Sequence, residues 1–276
     1  MKIAFIGGGN MASALIAGLA GGQDMQVHVV DPNPEALARL AAQYGATTSG
    51  SIDNAVADAE VIVLAVKPQQ MREVAGALAP HLATHLAHLP KGPLVLSIAA
   101  GIRGVDLSRW LGGHGAIVRT MPNTPALIGM GITGLVALQS VSEAQRAAAD
   151  RVLRAVGQTV WLDDEALIDP VTAVSGSGPA YVFYFLEAMV AAAQELGLNA
   201  QQGRELALAT FAGATQLAAQ SDEPLEVLRQ RVTSKGGTTH AAISSMEAAG
   251  VKQAIVDAMK AAAARGRALG DELGKD

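Results

Sequence analysis

The sequence predicts an α/β chain with a doubly wound parallel sheet in its N-terminal part and an all-α C-terminal part. Three observations carry this. Short β-branched apolar runs alternate with helix-period segments through the first half. From Val182 onward the strand pattern stops, and Ala-, Leu- and Glu-rich stretches take over. The length of 276 residues is about twice the ~150 residues of one domain. The change of character follows Trp161, so the expected domains are 1–163 and 164–276.

Residues 3–6 (Ile-Ala-Phe-Ile) read as a buried strand that runs into Gly7-Gly8-Gly9, and residues 10–20 as a small-residue helix. A second strand over 27–30 ends at Asp31-Pro32-Asn33-Pro34; the second proline suits the first turn of a helix over 35–43. Residues 61–66 form a strongly β-branched strand closed by Lys67-Pro68, and 94–98 and 117–120 are further strands. Continuous apolar strands between helices imply a parallel sheet covered on both faces. Residues 79–93, carrying His81, His85 and His88, read as a helix end and a loop. In the second half, helices are expected over 180–196, 201–220, 225–232, 239–249 and 251–273, punctuated by Gly197, Gly236-Gly237 and Gly250.

Composition narrows the function. Hydrophobic residues make up 50% of the chain, aromatics 3% and charged residues 16%, against about 25% charged in a typical soluble domain. So few charges predict an oligomer that hides surface against a partner. The absence of cysteine excludes disulfides, a thiolate nucleophile, cysteine-bound zinc and iron–sulfur clusters. A net charge of −5 argues against nucleic acid as a partner. No apolar run reaches the ~18 residues of a spanning helix, and the opening residues lack a signal-peptide layout, so no membrane partner and a cytoplasmic location are expected.

Gly7-Gly8-Gly9-Asn10-Met11-Ala12 follows a strand and opens a helix, matching G-x-G-x-x-A. Gly7 permits the tight turn, Gly9 lets backbone approach a pyrophosphate, and Ala12 lets helix and strand pack closely. Asp31, at the end of the next strand, stands where an acidic residue binds a ribose hydroxyl. Its carboxylate repels a 2′-phosphate and favours NADH, and no Arg or Lys follows until Arg39. Asp31 has a second reading as a plain turn residue before proline.

Three further strand ends reach the carboxyl edge where such sheets bind ligands. Leu64-Ala65-Val66-Lys67-Pro68 is the first; Lys67 is either a ligand contact or a solvated lysine. Ser97-Ile98-Ala99-Ala100-Gly101 is the second. Met121-Pro122-Asn123-Thr124-Pro125 is the third, a stiff loop suited to hold polar groups against a nicotinamide ring, or simply a rigid turn. Two Gly/Ser/Thr turns open helices in the second half, Ser175-Gly176-Ser177-Gly178-Pro179-Ala180-Tyr181 and Val232-Thr233-Ser234-Lys235-Gly236-Gly237-Thr238-Thr239-His240. Each puts free N–H groups and hydroxyls at a helix start, as a carboxylate site or as an ordinary cap. The histidines form no metal-ligand pattern, and no metal is expected.

Taken in order, these motifs resemble the pyrroline-5-carboxylate reductase family over essentially the full chain. The matching pieces are 5–12, 65–69, 97–101, 119–125, 173–181 and 224–247. The resemblance implies a Rossmann-type sheet and an all-α dimerisation domain, in a homodimer or a higher assembly of dimers. It implies NADPH or NADH as cofactor and 1-pyrroline-5-carboxylate as small-molecule substrate. It also implies cofactor contacts from Gly7, Gly9, Asn10, Met11, Ala12, Asp31, Ala65, Val66, Lys67, Pro68, Ala100 and Asn123. Gly236, Gly237 and Thr238 would hold the substrate carboxylate, with Thr239 at the ring nitrogen and Ser234 nearby as the catalytic pair. A protonated imine is already electrophilic, so neither metal nor covalent nucleophile is required.

The chain departs from the family pattern in places. Ile52 stands where an adenosine-contacting asparagine is frequent, with Asn54 two positions on, and Lys235 replaces a frequent proline. Two other functions compete: reduction of a related cyclic imine or β-hydroxyacid, and a non-catalytic dinucleotide-binding module. A β-hydroxyacid enzyme wants a helix lysine as acid, and no lysine occurs between Lys91 and Lys235.

Overall fold

The computed structural model describes residues 1–22, 24–86 and 92–275. The chain divides into two compact units. Met1–Ser177 with Ala262–Asp276 is the first, and Gly178–Ala261 is the second.

Among the described residues the first unit contains one sheet. Its strands are β1 (Lys2–Ile6), β2 (Gln26–Val30), β3 (Thr47–Ser49), β4 (Val61–Leu64), β5 (Leu94–Ser97), β6 (Ile117–Met121), β7 (Gly131–Ala137) and β8 (Gly157–Trp161). They lie in the order β3-β2-β1-β4-β5-β6-β7-β8. Pairing is parallel from β3 to β6, then β7 runs antiparallel to β6 and β8 parallel to β7. The chain leaves β1 in one direction and returns to its other side through β4, so the order reverses between these two strands. Ile6 stands beside Val30 on one side and Leu64 on the other, which brings three strand ends level.

Alternation along the strands explains the two covering layers. Ile3, Phe5, Val29, Val61, Val63, Leu94 and Leu96 point into one core, with Leu15 and Ile16 of α1 (Asn10–Leu19), Leu40 of α2 (Pro34–Tyr44) and Val152 and Leu153 of α6 (Glu143–Arg154). Ala4, Ile6, Val30, Ile62, Leu64 and Val95 point into the other. They meet Val56 of α3 (Asn54–Ala57), Met71 and Leu78 of α4 (Met71–Leu86) and Leu107 of α5 (Gly104–Trp110). Each fully buried large side chain contributes about 1.5–3 kcal/mol relative to exposure. Asn33 caps α2, its Oδ1 accepting from the N–H groups of Glu35 and Ala36.

The sheet is larger and less uniformly parallel than the sequence reading. β3 is three polar residues at an edge, and β8 alternates partly buried with exposed positions, so neither shows an apolar run. β7 holds two glycines, and a side chain at Gly134 would stand 2.7 Å from Val171. The strand expected over 61–66 ends at Leu64, although the Ala65 N–H still donates to the Ile6 carbonyl at 2.8 Å. The segment expected as a helix end and loop begins as helix, since α4 runs through Pro80 to Leu86. Residues 87–91 of the expected loop, His88 among them, lie outside the described residues.

The second unit is helical: α8 (Gly178–Glu195), α9 (Ala200–Ala219), α10 (Leu225–Arg231), α11 (Thr238–Ala248) and the first part of α12 (Val251–Leu273); α7 (Ile168–Val171) precedes it in the first unit. A side chain at Gly203 would stand 2.9 Å from Ala193, so α8 and α9 approach closely there, and Phe185 meets Phe211 with ring centroids 5.8 Å apart. Yet α8, α10 and α11 bury no residue, and α9 buries only Gly203 and Ala207. Phe183, Tyr184, Leu217 and Leu225 are between 60% and 75% exposed. Helices this apolar with so little core expose the kind of surface that an interaction covers.

Candidate active site

The strand order reverses between β1 and β4, and in open α/β sheets the carboxyl ends of the strands at such a point are where ligands bind. Gly7 turns the chain there with φ +102°, and its N–H donates to the Val30 carbonyl at 2.8 Å. A side chain at Gly7 would meet the Ala65 carbonyl oxygen at 2.6 Å. Glycine is therefore required twice, by the dihedral and by the neighbouring backbone. Gly9 caps α1 without a side-chain bond, no acidic residue stands in the first turn, and a side chain at Gly9 would touch nothing within 4 Å. The free N–H groups of this helix start thus face open space, and a dinucleotide pyrophosphate fits that cradle. Asn10 is exposed, Met11 half-buried and Ala12 buried.

Asp31 joins the cradle directly. Its Oδ2 accepts the Gly8 N–H at 2.7 Å and its Oδ1 the Asn33 N–H at 2.8 Å. The carboxylate is thereby held at the end of β2, with lone pairs left for a ribose hydroxyl. Ile52 is half-buried, and Asn54 is an exposed residue at the start of α3, which Asp53 caps.

The remaining expected cofactor residues occupy neighbouring strand ends of the same unit. Ala65, Val66 and Pro68 are partly buried, whereas Lys67 is exposed. Ala100 precedes Gly101, which has φ +74°. Asn123 is 9% exposed, and both ends of its amide bind protein: Nδ2 donates to the Ser175 carbonyl at 3.2 Å, and Oδ1 accepts the Ile132 N–H at 3.0 Å. Asn123 therefore brackets the loop after β6 to β7 and to the Ser175 turn, a role its sequence position does not announce. Met121 reaches the same turn, where a side chain at Gly176 would stand 2.5 Å from its Cε. Residues 172–176 form a π-helical turn, a form often found at functional sites.

The expected substrate residues lie in the second unit. Gly236 turns with φ +75°, the Gly237 N–H donates to the Ser234 carbonyl at 3.0 Å, and α11 begins at Thr238 without a side-chain cap or first-turn acid. Ser234, Thr238 and Thr239 are exposed. This is a second uncapped helix start, here flanked by hydroxyls, and suited to a small carboxylate. Sequence reasoning missed Glu165 altogether. Its Oε1 accepts from Arg119, which is 5% exposed, and from the Gly104 N–H at 2.6 Å. Among the described residues, no group of three or more His, Asp or Glu is placed to hold a metal ion, and no helix is long and apolar enough to cross a membrane.

Sheet, cradle and helical unit together define a dinucleotide-binding oxidoreductase with an α-helical association domain. A family model described as pyrroline-5-carboxylate reductase dimerisation matches residues 165–269, and one described as NADP oxidoreductase, coenzyme F420-dependent, matches residues 2–101. The chain is 48% identical over 277 residues to a pyrroline-5-carboxylate reductase of Pseudomonas aeruginosa, covering 99% of this chain and 98% of that one. It is 43% identical to one of Haemophilus influenzae, covering 97% of each. A solved structure of a pyrroline-5-carboxylate reductase from Coxiella burnetii superimposes with a TM-score of 0.89 at 37% identity, covering 97% of each chain. The Plasmodium falciparum pyrroline carboxylate reductase, solved with NADP bound, gives 0.85 at 27% identity, covering 98% of each. The chain belongs to the pyrroline-5-carboxylate reductase family.

Proposed function

We propose that the chain reduces 1-pyrroline-5-carboxylate to L-proline with NADH or NADPH, as a homodimer or a higher assembly of dimers. The observation that carries this reading is the full-length likeness to reductases of that name. The two uncapped helix starts support it, one suited to a pyrophosphate and one to a small carboxylate.

In this reading the N–H groups from Gly9 to Ala12 hold the pyrophosphate, and Asp31 holds the adenosine ribose. Ala65 to Pro68, Ala100 and Asn123 shape the nicotinamide end. Gly236, Gly237 and Thr238 hold the substrate carboxylate by N–H donation. A reduced nicotinamide held there would supply the hydride for the imine carbon. Thr239 hydrogen-bonds the ring nitrogen and keeps its proton in place, with Ser234 beside it. Orientation and exclusion of water then account for the catalysis asked of the protein. The exposed apolar faces of α8 to α11 are the surface a second copy covers.

Steady-state turnover of NADH and NADPH with this imine tests the reading, with light scattering on the same sample. No turnover with either cofactor overturns the activity, and a monomer at micromolar concentration overturns the assembly. Asp31 sets the cofactor preference. Asp31→Asn keeps an acceptor for the Gly8 N–H while removing the charge that repels a 2′-phosphate. The NADH-to-NADPH ratio of kcat/KM is expected to fall about tenfold, or about 1.4 kcal/mol. An unchanged ratio would place the discrimination elsewhere.

A further inference from the structure

The end of the chain packs on the loop after β5. Gly266, Gly270 and Gly274 recur every four residues, on one side of α12 and its continuation. A side chain at Gly270 would stand 3.1 Å from Arg103 Nε and 3.4 Å from the Gly101 carbonyl oxygen, and one at Gly274 would stand 2.4 Å from Asp106 Oδ2. Small residues here let the helix reach loop backbone. Leu269 and Leu273 close over Gly101, and Leu273 joins the second core. Polar ties fasten the contact: Asp271 pairs with Arg103, and Arg109 donates to the Gly274 carbonyl at 2.9 Å. Glu165 also reaches this region, accepting from Arg119 on β6 and from the Gly104 N–H. The loop 98–104 is thus held at its exit by two sets of residues distant in sequence.

We propose that the last turns of α12, through Asp271, together with Glu165, are a positioning clamp that presets the loop 98–104 at the nicotinamide end of the cofactor. The proposal rests on the reading that Ala100 lines that end. A loop turning through Gly101 at positive φ is otherwise free to adopt several conformations, and ordering it before the cofactor arrives removes that cost from binding. Asp271 and Glu165 are positioning residues, acting through Arg103 and the Gly104 N–H.

Glu165→Gln leaves the buried Arg119 without its countercharge and risks misfolding, so the decisive variants are at the exposed pair. Asp271→Arg is expected to weaken NADH binding about tenfold, leave the imine KM within about twofold, and speed amide hydrogen exchange in 98–104. Arg103→Asp combined with Asp271→Arg reverses the pair and is expected to restore both affinity and protection. Glu272→Arg breaks the neighbouring pair with Arg265, does not touch the loop, and is expected to change neither. The proposal is overturned by Asp271→Arg with unaltered NADH affinity or unaltered loop exchange, by an equal loss in Glu272→Arg, or by no rescue in the reversed pair. If the unsubstituted enzyme binds NADH but the cofactor does not protect 98–104, the placement of Ala100 fails and the clamp with it. If it binds neither cofactor, the cofactor reading itself fails.

Discussion

Gly7→Ala is expected to abolish cofactor binding and to destabilise the chain by about 3 kcal/mol. A non-glycine residue at this dihedral costs about 1–3 kcal/mol, and forcing a methyl against fixed atoms adds about 1–3 kcal/mol. The new carbon would stand 2.6 Å from the Ala65 carbonyl oxygen, which belongs to backbone and has no rotamer to change. Relief requires β1 and β4 to part at their carboxyl ends, where the cradle lies. Thermal unfolding is expected to begin about 6–12 °C lower, at 2–4 °C per kcal/mol for a domain of this size. A nicotinamide fluorescence titration is expected to show affinity reduced more than about 100-fold. Native-like affinity in this variant would remove the cradle from the cofactor site.

Thr239→Ala is expected to lower kcat about 100-fold while leaving cofactor affinity within about twofold. Thr239 is exposed on the first turn of α11, so losing its hydroxyl costs the fold little, and alanine is the better helix former. The cradle belongs to the other compact unit, which separates the two readouts. Thr239→Ser returns the hydroxyl and is expected to recover most of the rate. A kcat unchanged in Thr239→Ala would take the residue out of the mechanism, and an equal loss of NADH affinity would make its role one of assembly.

Much of the architecture was legible because its causes are local. Buried β-branched runs marked β1, β2, β4, β5 and β6, and the second-half helices begin and end within about two residues of the expected positions. The strands left unread lack a local signal. β3 is three polar residues, β7 is broken by glycines, and β8 is an edge strand with alternating exposure. The glycine cradle was legible for the same reason, since its steric demand falls on consecutive residues. Glu165 was not, because a lone acid after Asp163-Asp164 is ordinary until Arg119 and Gly104 are seen beside it. For Asn123 the sequence offers both a contact at the nicotinamide ring and a rigid turn; its buried bonds to Ser175 and Ile132 depend on residues far along the chain.

By itself the sequence determined the two kinds of secondary structure, the turn at Gly7 and the helix starts at Gly9 and Gly237. These follow from dihedral preference, apolar period and missing caps, all set within a few residues. Only the tertiary structure decided that the chain's last turns join the first unit, that Asp31 is fastened to the Gly8 N–H, and that α8, α10 and α11 bury nothing. Those outcomes depend on which distant surfaces meet, a matter of shape and charge that no local window of sequence contains.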